Sequence, residues 1–236
     1  MRAPAVRGDE SNAGPAHSAL RERFDLRLLA VLLSIDAILI GAHVATGLLL
    51  PKIPTWLNIA QDRSLPEFTC YAVMLAGAVV MWRAWRRTGL ALCVSFAAAL
   101  LLMMLDDSLQ LHESLGAHEA RVLGLGDFAG IEADHGGELI AWGILGIVLA
   151  VAGLFGLVRT PLNEWRHFYL LTALVGLLGF FAVGIDVLHD PVCAVAAGRG
   201  HCAQIFDLVE DGGEMVVQSF ILAHVVAAFG ARPTRT

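Results

Sequence analysis

Apolar runs too long for strands recur along the chain at 27–50, 67–83, 88–112, 136–158, 167–189 and 207–230, separated by short polar segments. About 20 helical residues cross the roughly 30 Å hydrocarbon layer of a bilayer, so each run predicts a membrane-spanning helix. The second run is the shortest and is expected to tilt little. The pattern therefore predicts an all-α, polytopic integral membrane protein, a six-helix transmembrane bundle over residues 25–231. A tail at 1–24, rich in Ala, Gly, Pro, Ser and charge, is expected to be disordered, and 232–236 form a second short tail. The first apolar run is too long for the h-region of a cleaved signal peptide and is expected to stay in the protein.

The apolar pattern is interrupted at particular places. The last run opens IFDLVEDGGEMVVQ, where Asp207, Glu210, Asp211 and Glu214 fall at i, i+3, i+4 and i+7 and make one acidic stripe on a helix. An earlier Asp134-His135-Gly136-Gly137-Glu138 likewise ends in GGE and runs into an apolar helix. Asp106-Asp107 with His112-Glu113 precedes the first GGE, and Asp186 with His189-Asp190 precedes the second. This repetition predicts tandem helical hairpins that each deliver Asp, His and Glu to one level of the bundle. The first hairpin would add His43 and Glu67. Pro191 is expected to end the fifth helix, and 117–133 read as a surface lid or connector. Asp36 lies deep in the first run, where a charge is costly, so it must face the bundle interior.

Composition agrees with the pattern: 57% of residues are apolar and 16% charged, which excludes an ordinary soluble domain. Twelve of the sixteen Lys and Arg residues fall in the 2–27, 83–87, 159–166 and 232–235 segments, while Lys52, Arg63, Arg121 and Arg199 lie on the other side. By the positive-inside rule both termini are cytoplasmic. Most acidic residues then gather at the outer ends of the helices, a face that attracts cations. The expected location is a bacterial inner membrane with the acidic face periplasmic or extracellular. Membrane lipid is the expected surroundings, and net charge −6 gives no reason to expect a nucleic-acid partner. Cys193 and Cys202 share the last outer loop, where a disulfide, two free thiols and metal ligation are all open.

The chemistry implied is that of a His/Asp/Glu cluster without accompanying Lys or Arg. So many carboxylates at one level need protons or bound cations between them. Acids at helix N-termini can be explained by the helix dipole, but Asp106, Asp107, Asp186 and Asp190 sit near C-termini, where an anion is disfavoured. Mixed imidazole and carboxylate donors suit Zn, Fe or Mn, one or two ions, better than Mg or Ca. The expected metal ligands are His43, Glu67, His112, Glu138, Asp186, His189 and Glu214, with Asp107 and Glu210 as further ligands or general base. Haem between His43 and His224 is disfavoured by their different depths. The expected function is a metal-dependent membrane enzyme, a hydrolase or di-iron type oxidoreductase, acting on an apolar or lipidic substrate. The alternative is a divalent-cation or proton-coupled transporter or sensor, with Asp36 and His224 as deeper stations.

Overall fold

The computed structural model describes residues 23–126, 133–195 and 199–230, and these form helices and short turns without a strand. Residues 1–22 of the expected tail at 1–24, and all of that at 232–236, lie outside the described residues, as do the side chains of Asp134 and Asp190. In chain order the helices are α1 (Leu26–Leu49), α2 (Leu65–Thr88), α3 (Ala91–Ser108), α4 (Leu111–Leu123), α5 (Ala133–Arg159), α6 (Trp165–Gly179), α7 (Asp186–Val195) and α8 (Arg199–Phe229). A π-helical segment, Phe180–Ile185, joins α6 to α7 without a break. Six helical stretches are long and apolar enough to cross a membrane. Large apolar side chains such as Ile38, Leu48, Ile147, Val151 and Val158 point outward, a surface that suits hydrocarbon and not water.

α8 is the centre of the bundle. Its apolar window is 61% buried, against 17–44% for the other spans, and it packs on α1, α2, α6 and α7. The main core joins Met81 of α2, Leu92, Phe96 and Leu100 of α3, Leu171 of α6, and Ile221 and Val225 of α8. At the Arg-rich end, Arg87 donates from Nη2 to Phe229 O at 2.7 Å and satisfies a free carbonyl of the last helical turn.

Four boundaries differ from the sequence expectations. α2 is 24 residues long, because Ser64 caps it and Pro66 occupies its first turn, where a missing N–H costs nothing. α3 ends at Ser108 instead of continuing to 112. Gln110 takes φ 50°, a left-handed conformation costing a non-glycine residue about 1 kcal/mol. Its side chain offsets part of that by donating to Asp62 Oδ2 at 2.8 Å. The first part of the 117–133 segment read as a lid or connector is the second half of α4, which lies along α5, and 127–132 lie outside the described residues. Pro191 sits inside α7, which runs on to Val195. A disulfide from Cys193 to Cys202, with Cα atoms 5.6 Å apart, ties α7 to α8. A bridge of this loop length stabilises by about 2–3 kcal/mol in the chain-entropy account, similar to the cost of an internal proline. Replacing both cysteines by serine should therefore lower the thermal midpoint, and adding reductant to the parent should reproduce the shift.

The two GGE sequences share a packing role. Gly137 lies against the backbone of Gly116 on α4, whose carbonyl oxygen and carbon occupy the place of a side chain. Gly213 lies against the ring of Phe181 in the π-helical segment. In each, the second glycine lets a neighbouring element approach closely.

Candidate functional site

A cavity of about 370 Å³ opens among α2, α3, α4, α5, α6 and α8 at the acidic end. Asp62, Glu67, Asp107, Glu113, Glu210, Asp211 and Glu214 line it, with His112 as its imidazole and no Lys or Arg among the described residues of its walls. Its deeper wall is apolar, made by Met74, Met103, Leu149, Val175 and Leu178. The stripe on α8 supplies three of the carboxylates, and one turn deeper on the same face Gln218 reaches the cavity floor. Gln218 is 2% exposed, and its Oε1 has no hydrogen-bond partner among the described residues. A buried acceptor left unpaired costs about 1–3 kcal/mol, so the floor is suited to a donor or a cation.

The walls are held by hydrogen bonds. Tyr71 Oη donates to Glu67 Oε1, and the backbone N–H of Arg63 donates to Glu67 Oε2. His112 Nδ1 lies 3.0 Å from Asp106 Oδ2, and its ring packs on Trp142 with centroids 4.8 Å apart. A carboxylate accepts only, so His112 donates from Nδ1 and keeps the Nε2 lone pair available for a ligand. Burial works against a charge on His112. The hydrogen bond and charge of Asp106, with Glu113 and Asp107 nearby, outweigh it and raise the pKa above the ordinary 6.5. The folded protein therefore gains stability from this group that is complete below about pH 6.5 and lost as pH rises through the raised value.

Five of the nine predicted site residues, Glu67, Asp107, His112, Glu210 and Glu214, line the cavity. Asp107 and Glu214 interact electrostatically with one another and with Asp211 or Glu67 across it. The other four stand outside its walls. His43 is buried and accepts from Ile59 N–H at Nδ1, 3.1 Å, which ties α1 to the chain before α2. Glu138 lies beside Gly116 and interacts electrostatically with His135, Asp186 and His112. His189 stacks on Phe206 at 5.5 Å and faces the charge of Asp207, while Asp186 lies near Glu210 and Glu138. Among the described residues, no three His, Cys, Asp or Glu side chains form a group poised around one metal ion. The cavity is wider than one coordination sphere.

Asp62, Asp211, Trp142 and Gln218 line the cavity without having been singled out as ligands. The signal for Gln218 was the stripe itself, since Asp207, Glu210/Asp211, Glu214 and Gln218 continue at i, i+3/i+4, i+7 and i+11. Deeper polar residues are satisfied separately. Asp36 accepts from Ser219 Oγ at 2.7 Å. His224 Nδ1 is 2.6 Å from Arg23 O, and its Nε2 is 3.2 Å from His167 Nδ1. Arg166 Nε donates to His167 Nε2 at 3.2 Å, so one neutral tautomer of each ring fits the whole chain. Leu28, Leu32, Val73, Leu222 and Val226 pack in one apolar cluster on α1, α2 and α8, in the half of the bundle toward the Arg-rich end.

Comparison with known proteins gives a family match: a family described as "Domain of unknown function (DUF8692)" aligns with residues 26–228. The match covers nearly all of the helical bundle, and the chain belongs to that family. No curated protein and no solved structure matches the chain.

Proposed function

We propose that this family member is an integral membrane protein that binds a divalent transition metal in its acidic cavity and uses it on an apolar or lipidic substrate. One observation carries the reading: a single cavity gathers seven carboxylates and an imidazole, with no Lys or Arg among its described lining residues to neutralise them. His112, Glu67 and Glu214 are the first candidates for ligands. Asp107, Asp211 and Glu210 supply further carboxylates, and the unpaired Gln218 Oε1 adds a neutral oxygen. His43, Glu138, Asp186 and His189 then have supporting roles at the borders of the site. A bound ion would lower the pKa of its water and provide a nucleophile at neutral pH. Asp107 or Glu210 would take the proton, and the apolar wall would exclude bulk water and hold the substrate.

The positive-inside rule favours a cytoplasmic Arg-rich end. The disulfide at the acidic end supports an oxidising compartment on that side. A transporter or sensor is the second reading, and the paired carboxylate and serine of Asp36 and Ser219 favour it. The apolar cluster around Leu32, Val73 and Leu222 speaks for a closed site.

Elemental analysis of detergent-purified protein tests the proposal. About one or two Zn, Fe or Mn ions per chain are expected, the range of mononuclear and two-metal sites. Glu214→Ala and Asp107→Ala should each reduce that content while the protein stays folded by circular dichroism. Metal-free wild-type protein that gains no thermal stability from added Zn, Fe or Mn would overturn the metal reading.

A further inference from the structure

A second cavity, of about 390 Å³, lies between α3, α5 and α6. Its lining is apolar apart from Ser95 and Thr172. α5 and α6 make few contacts, so these two helices leave a gap along their length. Leu154 lines this groove and is 61% exposed, which makes the gap a lateral opening toward the hydrocarbon. Toward the Arg-rich end Gly156 lets α5 approach Ser95 of α3; a Cβ there would stand 2.9 Å from Ser95 Oγ. At its other end the groove adjoins the acidic cavity, and Leu149 and Val175 line both spaces.

We infer that the groove holds the hydrocarbon chain of a single-chain amphiphile whose polar head lies in the acidic cavity. The inference deepens the proposed function and rests on it for the role of the head. The groove commits to a chain because its residues lie in the membrane-spanning parts of three helices and its side opening faces acyl medium. It commits to an amphiphile because only Leu149 and Val175 stand between it and a chamber of carboxylates. From Leu149 to Leu157 the α5 wall runs about 12 Å at 1.5 Å per residue, enough to bury an extended segment of chain. Gly153 and Gly176 lie on opposite walls of the groove, and a Cβ on either would meet no atom within 4 Å, so both are places where chain and backbone can meet.

The test uses the full chain in phospholipid nanodiscs and hexadecanol bearing a mid-chain diazirine. After irradiation, adducts should concentrate on peptides containing Gly153 to Leu157 and Thr172 to Gly176, above those on the lipid-facing side of α1 around Ile38 and Leu48. Gly153→Leu and Gly176→Leu fill the groove from its two walls, and each should lower groove adducts about tenfold, the change of a 1.4 kcal/mol loss in binding. Metal content should stay at the wild-type level in both. Adducts equal on α1 and the groove, or unchanged in both variants, would mean bulk lipid only and would overturn the inference. Groove labelling without metal in the wild type would support the chain site and remove the metal reading. Metal without groove labelling would do the reverse.

Discussion

At the proposed metal site, Asp106→Asn is expected to weaken metal binding about 10- to 100-fold on the high-pH plateau, the usual cost of losing a carboxylate that orients a ligating histidine. The argument starts from the break between α3 and α4. Asp106 is buried near the end of one helix and His112 stands in the first turn of the next, so their 3.0 Å contact fixes the ring across the joint. Asn can still hydrogen-bond but lacks the charge that makes Nε2 a better donor to a cation. The same carboxylate raises the pKa of His112, and a proton on Nε2 competes with metal. In the wild type, affinity should fall as pH drops through that raised value; in Asp106→Asn the fall should move to lower pH. Measuring on the high-pH plateau, where affinity no longer changes with pH, keeps the two effects apart. Competition titration with a metal indicator, repeated across pH, reads both. An unchanged affinity on that plateau would remove His112 from the proposed ligands.

Gly137→Val should cost at least about 3 kcal/mol, the upper part of the range for overpacking, and is expected to prevent α4 from docking on α5. The obstacle is backbone: the Gly116 carbonyl already occupies the space that the Cβ needs, and neither helix has a side chain there that could turn aside. Even Gly137→Ala should destabilise. On the same helix Gly143 has nothing within 4 Å of a Cβ, so Gly143→Ala should stabilise by about 0.5–1 kcal/mol through helix propensity. Thermal midpoints of the two alanine variants in one detergent give the comparison, and shifts of the same sign would refute the packing role.

The apolar runs were long enough to locate six spans, because length and hydropathy are local properties of the chain. The acidic stripe was equally legible: on a helix, Glu210, Asp211 and Glu214 share a face whatever surrounds them. The rest depended on relations between helices. Glu138 and Glu214 follow the same GGE, yet only Glu214 lines the cavity, because Gly137 seats α5 on α4 and Gly213 seats α8 on Phe181. The repeated sequence therefore marked two close approaches and one cavity wall. His43 shared the expected level with the acids, but a backbone N–H sixteen residues away engages its ring. Nor could the end of α3 be read from hydropathy, since the left-handed turn at Gln110 is supported by Asp62, 48 residues earlier in the chain.

The wide helical turn at Phe180–Ile185 sets an angular phase between the two parts of the fifth span. A π turn accommodates an extra residue within a continuous helix, and each residue of an α-helix advances the side chains by about 100°. Deleting one residue from this segment would therefore restore regular winding and swing Asp186 and His189 around the helix axis, away from Glu210 and Asp207. It would also withdraw Ala182 and Val183 from the cavity wall. The acidic chamber thus depends on the count of residues in a stretch that contributes no charge to it, and a change in length there would act like a change of several side chains at once.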